Sequence, residues 1–152
     1  MQPTLSSGQH VVVLRPTVDR ELRRGDVVVA DVRGSFLPGS AVSGPPAGTA
    51  LAQAPQDAYV VKRAVAGPGD RISCCDSDGR LVLNSEPLAE PYLTATGEAS
   101  QDRFDVVVPT GRWWLMGDNR DVSDDSRANL ASPGGGSVPQ AAIVGRVVAV
   151  LG

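Results

Sequence analysis

The chain has 152 residues and a formal net charge of −3. That length supports one domain with a real core and leaves room for a small appended lobe. Mild acidity gives no electrostatic footprint for nucleic acid or an anionic membrane surface. No apolar run approaches the ~18 residues of a membrane-spanning helix, and no signal sequence is evident.

Helical periodicity is nearly absent. Strand-like runs are predicted at residues 10–15, 26–33, 59–66, 80–84, 104–108, 113–116 and 143–151, separated by Gly, Pro and Asp turns. His10 opens the first run and reads as a surface histidine. Residues 34–55 are rich in Gly, Pro, Ala and Ser, bury little apolar surface, and read as a flexible loop.

The run at 59–66 carries Lys62, the one lysine among 14 basic residues. A GC-rich codon bias would thin lysines, but it does not explain why one survives here. Neighbours on a strand face opposite ways, so Lys62 shares a face with Val60 and Ala64 while Arg63 points away. One cation can then lose its water while the other finds a carboxylate. Arginine keeps its proton above pKa ~12, whereas a desolvated lysine can fall by several units and act as a base. On this run alone, a solvated edge-strand lysine is the ordinary reading.

Cys74 and Cys75 are adjacent. Neighbouring α-carbons ~3.8 Å apart fall below the usual disulfide range of ~4.4–6.8 Å, so a structural or incidental role is expected. With no second CxxC and one histidine, no metal site and no cofactor is expected. Loose segments follow at 94–101 and 132–137. Of Trp113 and Trp114, one is expected in the core and one at the surface.

Four separated segments change the reading of Lys62. They are Met1-Gln2-Pro3-Thr4-Leu5, Arg24-Gly25-Asp26-Val27-Val28-Val29, Lys62-Arg63-Ala64-Val65-Ala66-Gly67-Pro68-Gly69-Asp70, and Gly117-Asp118-Asn119-Arg120-Asp121-Val122-Ser123-Asp124-Asp125-Ser126-Arg127. In order, spacing and content they resemble the boxes of bacterial type I signal peptidases, the Ser/Lys-dyad enzymes that remove secretory signal peptides. Asn84, Glu90-Pro91-Tyr92-Leu93 and Ile143-Val144-Gly145-Arg146 also fit that family. The resemblance spans essentially the whole chain, and its last box is highly specific.

The resemblance implies a mostly β fold of antiparallel sheets, of the type shared with LexA-like Ser/Lys proteases, with a small β cap lobe and few short helices. Residues 1–70 and 115–152 would form the catalytic core and 71–114 the cap. It makes Lys62 the general base and Ser123 the residue that aims it. Bringing a lysine from ~10.4 toward ~7.5 costs about 4 kcal/mol at 1.36 per unit, which burial must supply. Arg63, Asp118, Asn119, Arg120, Asp125 and Arg127 would brace the catalytic loop, with Asp118 paired to Arg63 and Asp125 to Arg127. Met1, Pro3, Leu5, Val60 and Val61 would line the groove for an extended substrate ending in small residues.

One departure matters. In the family the nucleophilic serine immediately precedes the methionine of the first box, which here is Met1. Ser6 and Ser7 lie on the wrong side of the Pro-Thr-Leu turn to replace it. The chain as given is therefore expected to be inactive. Either the start falls at an internal methionine of a longer protein, or the chain is a noncatalytic peptide-binding pseudoenzyme; intact downstream boxes favour the first. The resemblance further implies signal peptides of secreted preproteins as partners. It also implies a full-length protein anchored at the extracytoplasmic face of the cell membrane by a segment not in this chain, the part given being soluble. A LexA-type self-cleaving protease is the lesser enzyme alternative, disfavoured by the Gly-Asp-Asn-Arg loop.

Overall fold

The computed structural model describes residues 1–15, 21–37, 58–93 and 97–152. The loop predicted at 34–55 lies outside them from residue 38 onward, as do residues 94–96 of the loose segment at 94–101.

Among the described residues ten strands form: β1 (His10–Leu14), β2 (Val27–Asp31), β3 (Tyr59–Ala66), β4 (Arg71–Cys74), β5 (Leu81–Leu83), β6 (Glu86–Pro87), β7 (Phe104–Val107), β8 (Arg112–Met116), β9 (Val138–Pro139) and β10 (Ile143–Leu151). A short 3-10 turn spans Gln140–Ala142. The architecture is thus mostly β. β4, β6 and β9 go beyond the sequence prediction. They are two to four residues long, too short for alternation to register. β6 and β9 each end in proline, which a sheet tolerates at its edge, and both are edge strands.

The strands make two antiparallel sheets. The larger has the order β1-β10-β2-β3-β8-β9 and the smaller β6-β5-β4-β7. β8 is the wall between their two cores. Trp113 and Leu115 enter one cluster with Val28, Ala30, Val138 and Ile143. Trp114 and Met116 enter the other with Ile72, Leu81 and Phe104. Both tryptophans are therefore buried, at 6% and 1% exposure, which corrects the expectation that one would lie at the surface. Alternation sent them to opposite faces as it should, but the small sheet covers the second face. β8 pairs with β9 from its first residue and with β3 from Trp114 onward.

Cys74 and Cys75 are joined in a disulfide across a cis peptide, with α-carbons 3.0 Å apart. The sequence argument against a bond rested on spacing, and the bond forms although the α-carbons lie closer still.

Asp70 ties three segments together. Its carboxylate accepts from Arg24 Nε at 2.8 Å, Gly67 N at 2.7 Å and Asn84 Nδ2 at 2.9 Å. Burial alone would raise its pKa, but the Arg24, Asn84 and Gly67 donors outweigh burial and hold it below the ordinary carboxylate value. A carboxyl with a depressed folded pKa stabilises above its unfolded pKa and loses that stability as pH falls through the folded value. Asp70→Ala is expected to cost about 1–3 kcal/mol at pH 7, because it strands the buried Gly67 N–H and unpairs Arg24 and Asn84. The gap to the parent should close as pH falls below the ordinary Asp pKa of 3.8. Urea unfolding of both proteins at pH 7 and at pH 3 measures this.

Candidate active site

Lys62 lies mid-strand in β3, opposite Val28 of β2, with its side chain half-buried. Its Nζ donates to Ser123 Oγ at 2.9 Å. Ser123 belongs to the loop that leaves β8 and folds straight back against it. That return is held by backbone polarity: Leu115 N donates to Ser126 Oγ at 2.9 Å, and Ser126 N donates to Leu115 O at 3.1 Å. Gly117 starts the loop under the amine. A Cβ there would sit 2.1 Å from Ser123 Oγ and 3.6 Å from Lys62 Nζ. The hydroxyl reaches the amine across a position that carries no side chain.

The proton affinity of the amine is depressed, chiefly by burial; Asp125 and Asp124 pull it back up and Arg127 pushes it down. Asp125 is fully buried. Desolvation would raise it, but Arg127, the Gly117 N–H and the Ser123 hydroxyl together hold it below the usual carboxylate range. The bonds are Arg127 Nε to Oδ1 at 2.9 Å, Arg127 Nη2 to Oδ2 at 2.8 Å and Gly117 N to Oδ2 at 3.0 Å. Ser123 therefore stands between an ionised carboxylate and an amine whose proton is loosely held.

Arg63 turns the other way. It donates to Asp118 through Nε (2.8 Å) and Nη2 (2.6 Å) and to the Gly25 carbonyl through Nη1 (2.7 Å). Thr4 Oγ1 accepts from Arg63 Nη2 at 3.2 Å and donates to Asp118 Oδ2. One buried ion pair thus joins the lysine strand, the loop from Gly117, the Arg-Gly-Asp turn and the N-terminal turn. Arg120 donates to the Gly117 and Ala99 carbonyls and, bidentately, to Glu90.

A cavity of about 660 Å³ opens at the amine, lined by Met1, Leu5, Val60, Val61, Lys62 and Ser123 among others. Pro3 instead faces a neighbouring cavity of about 450 Å³ with Asp118, Arg120 and Asp121, and Asn119 borders both. Ser6 and Ser7 also line the larger cavity, yet neither bonds to Lys62, whose hydrogen-bond partner among the described residues is Ser123. His10 is exposed at the start of β1, away from this cavity's lining. Among the described residues no three His, Cys, Asp or Glu side chains converge as metal ligands would.

The sequence reading gave no role to Thr4, Glu90 or Tyr92. Tyr92 Oη donates to Glu90 Oε1 at 2.7 Å, and its ring lies 3.8 Å from the Arg63 guanidinium carbon. The available signal was an acid and a tyrosine in a short segment already matching a family pattern, with Glu90 and its partner Arg120 thirty positions apart.

Comparison with known proteins bears on this arrangement. The family described as "Signal peptidase, peptidase S26" matches residues 1–151. Signal peptidase I of Mycobacterium tuberculosis H37Rv is 40% identical over 106 residues, covering 60% of this chain and 36% of that protein. Signal peptidase I T of Bacillus subtilis 168 is 31% identical over 140 residues, covering 86% and 60%. The chain thus spans from roughly a third to three fifths of the length of these relatives. A crystal structure of a signal peptidase I from Enterococcus faecalis V583 has the same fold, with a TM-score of 0.57 at 24% identity over 84% of this chain and 97% of that one. With its family match running from the first residue to the next to last, this chain belongs to the peptidase S26 signal peptidases.

Proposed function

We propose that this chain is the catalytic region of a type I signal peptidase, which cleaves signal peptides from secreted preproteins with Lys62 as general base. The nucleophile in this reading is a serine immediately ahead of Met1. The observation that carries it is the desolvated Lys62 amine, aimed by Ser123 at 2.9 Å into a cavity that Met1 also lines. The full-length protein acts at the extracytoplasmic face of the membrane. No helix among the described residues is long and apolar enough to cross one.

The chemistry follows from the amine. Neutral Lys62 takes the proton of the serine hydroxyl as its oxygen attacks the scissile carbonyl. The resulting ammonium passes that proton to the departing amine of the mature protein, leaving an acyl-serine ester. Lys62, neutral again, deprotonates a water that hydrolyses the ester and regenerates the hydroxyl. Ser123 holds the lysine in line throughout, and Asp125 holds Ser123. The Asp118–Arg63 and Asp125–Arg127 pairs keep strand and loop in register. An extended peptide seated against Val60 and Val61, with Met1 and Leu5 at the cavity wall, presents small side chains to shallow pockets.

Three outcomes test this. The 152-residue chain should show no turnover of a signal-peptide substrate, whereas a version with serine placed before Met1 should cleave it. Lys62→Arg in that version should cost about 10²- to 10⁴-fold in kcat, the usual scale of general-base catalysis, because arginine keeps its proton. Near-parental rates in the arginine variant would remove Lys62 as the base. Binding of the peptide without cleavage by the serine-bearing version favours the noncatalytic reading instead.

The second outcome concerns pH. Because the amine works only when neutral, activity should rise with pH through the Lys62 pKa, which lies below 10.5. The sole lysine makes this direct, since ¹³C-lysine labelling yields one side-chain signal whose titration gives the pKa. That midpoint should coincide with the acid limb of the rate profile.

The third outcome is steric. Gly117→Ala places a methyl against Ser123 and should lower kcat by roughly 10²-fold while the fold survives, since a displacement near 1 Å is worth that much. Steady-state kinetics with a circular dichroism check measures it.

A further inference from the structure

We propose that Glu90 and Tyr92 are positioning residues for the lysine, holding Arg63 beside it in β3 and Arg120 in the loop that carries Ser123. This rests on the reading of Lys62 as the base. Both residues belong to the segment that follows β6, the outer strand of the small sheet, and neither reaches the cavity that Lys62 lines.

Two routes run from this pair to the amine. In the first, Glu90 receives both terminal nitrogens of Arg120, at 3.1 and 2.5 Å. Both side chains are nearly excluded from water, at 5% and 3% exposure. A guanidinium buried this deeply needs its donors placed, and Arg120 places two more on the Ala99 and Gly117 carbonyls. Gly117 is the residue against which Ser123 and Lys62 both pack. In the second, the Tyr92 ring centroid lies 3.8 Å from the guanidinium carbon of Arg63, next in sequence to Lys62, while the Tyr92 hydroxyl donates to Glu90 at 2.7 Å. One two-residue pair therefore grips the catalytic loop with one member and the lysine strand with the other. The charged groups acting directly on Lys62, namely Asp125, Asp124 and Arg127, are all on the loop that this grip holds still.

A brace for the fold alone would affect stability without reaching the amine. The distinguishing readout is the titration of Lys62, followed as the single ¹³C-lysine signal in the serine-bearing protein. Glu90→Ala and Tyr92→Leu should each shift that titration toward the ordinary lysine value by at least about half a unit, as the freed loop admits water. They should lower kcat about tenfold or more and leave KM within about twofold, because positioning is felt in the chemical step. Tyr92→Phe keeps the ring on Arg63 and should recover most of the kcat lost in Tyr92→Leu. Folded Glu90→Ala and Tyr92→Leu proteins with parental kcat and a parental Lys62 titration would overturn the proposal. Should Glu90→Ala fail to fold, Glu90→Gln, which changes one oxygen to an amide nitrogen, takes its place and should show the same shift. Unfolding of Glu90→Gln as well would mark a purely structural role and overturn the proposal too. If the serine-bearing parent cleaves no signal peptide, the functional reading falls, while the Lys62 titration still decides whether this pair governs the amine.

Discussion

A lysine amine gives up its proton near neutral pH only where water is kept off it, and the residue after Lys62 is another cation. Two adjacent charges cannot both be stripped of solvent unless one is neutralised at once. The strand separates them by alternation, and the Asp118 carboxylate then meets Arg63 through two parallel bonds of 2.8 and 2.6 Å. Breaking a buried pair by removing one partner costs about 3–5 kcal/mol. The same Asp118 accepts from Thr4, and the same Arg63 holds the Gly25 carbonyl. The N-terminal turn, the Arg-Gly-Asp turn, β3 and the loop from Gly117 thus converge on one ion pair beside the lysine, whose own pKa burial lowers.

The sheets supply the burial. β3 and β8 are neighbours in the larger sheet, so the end of β8 delivers Met116 opposite Arg63 and places the loop from Gly117 over Lys62. The small sheet closes the other side of β8 through Trp114, Met116 and Phe104. It also sends back Glu90 and Tyr92 to Arg120 and Arg63. The lysine environment is therefore built by both sheets, although the amine sits on only one.

Such a site opposes stability. A depressed lysine pKa means that burial disfavours the charged form, and the unfolded chain binds that proton more tightly. Packing Ser123 across the bare α-carbon of Gly117 adds a steric constraint of its own. The offset comes from charge-assisted bonds that share partners: Asp125 with Arg127, Asp118 with Arg63, Glu90 with Arg120, and Asp70 with Arg24. Three of these pairs are buried on both sides, and the fourth has its arginine half-exposed.

The sequence by itself determined what depends on near neighbours. Alternation over 59–66 and 143–151, and the Gly-Pro-Asp turns between runs, are local properties that establish a mostly β chain and put Lys62 and Arg63 on opposite faces. The singular lysine and the Gly-Asp-Asn-Arg box pointed to a family. The tertiary structure alone decided the rest, each time because the deciding partner is remote or the geometry is not the default one. Trp113 and Trp114 are both buried because a second sheet covers the outer face of β8. Pro3 faces away from the lysine cavity because the N-terminal turn is pinned through Thr4 to Asp118, 114 residues away. Cys74 and Cys75 bond across a cis peptide that residue spacing does not announce. Glu90 finds Arg120 because sheet packing, not sequence separation, sets which buried charges meet.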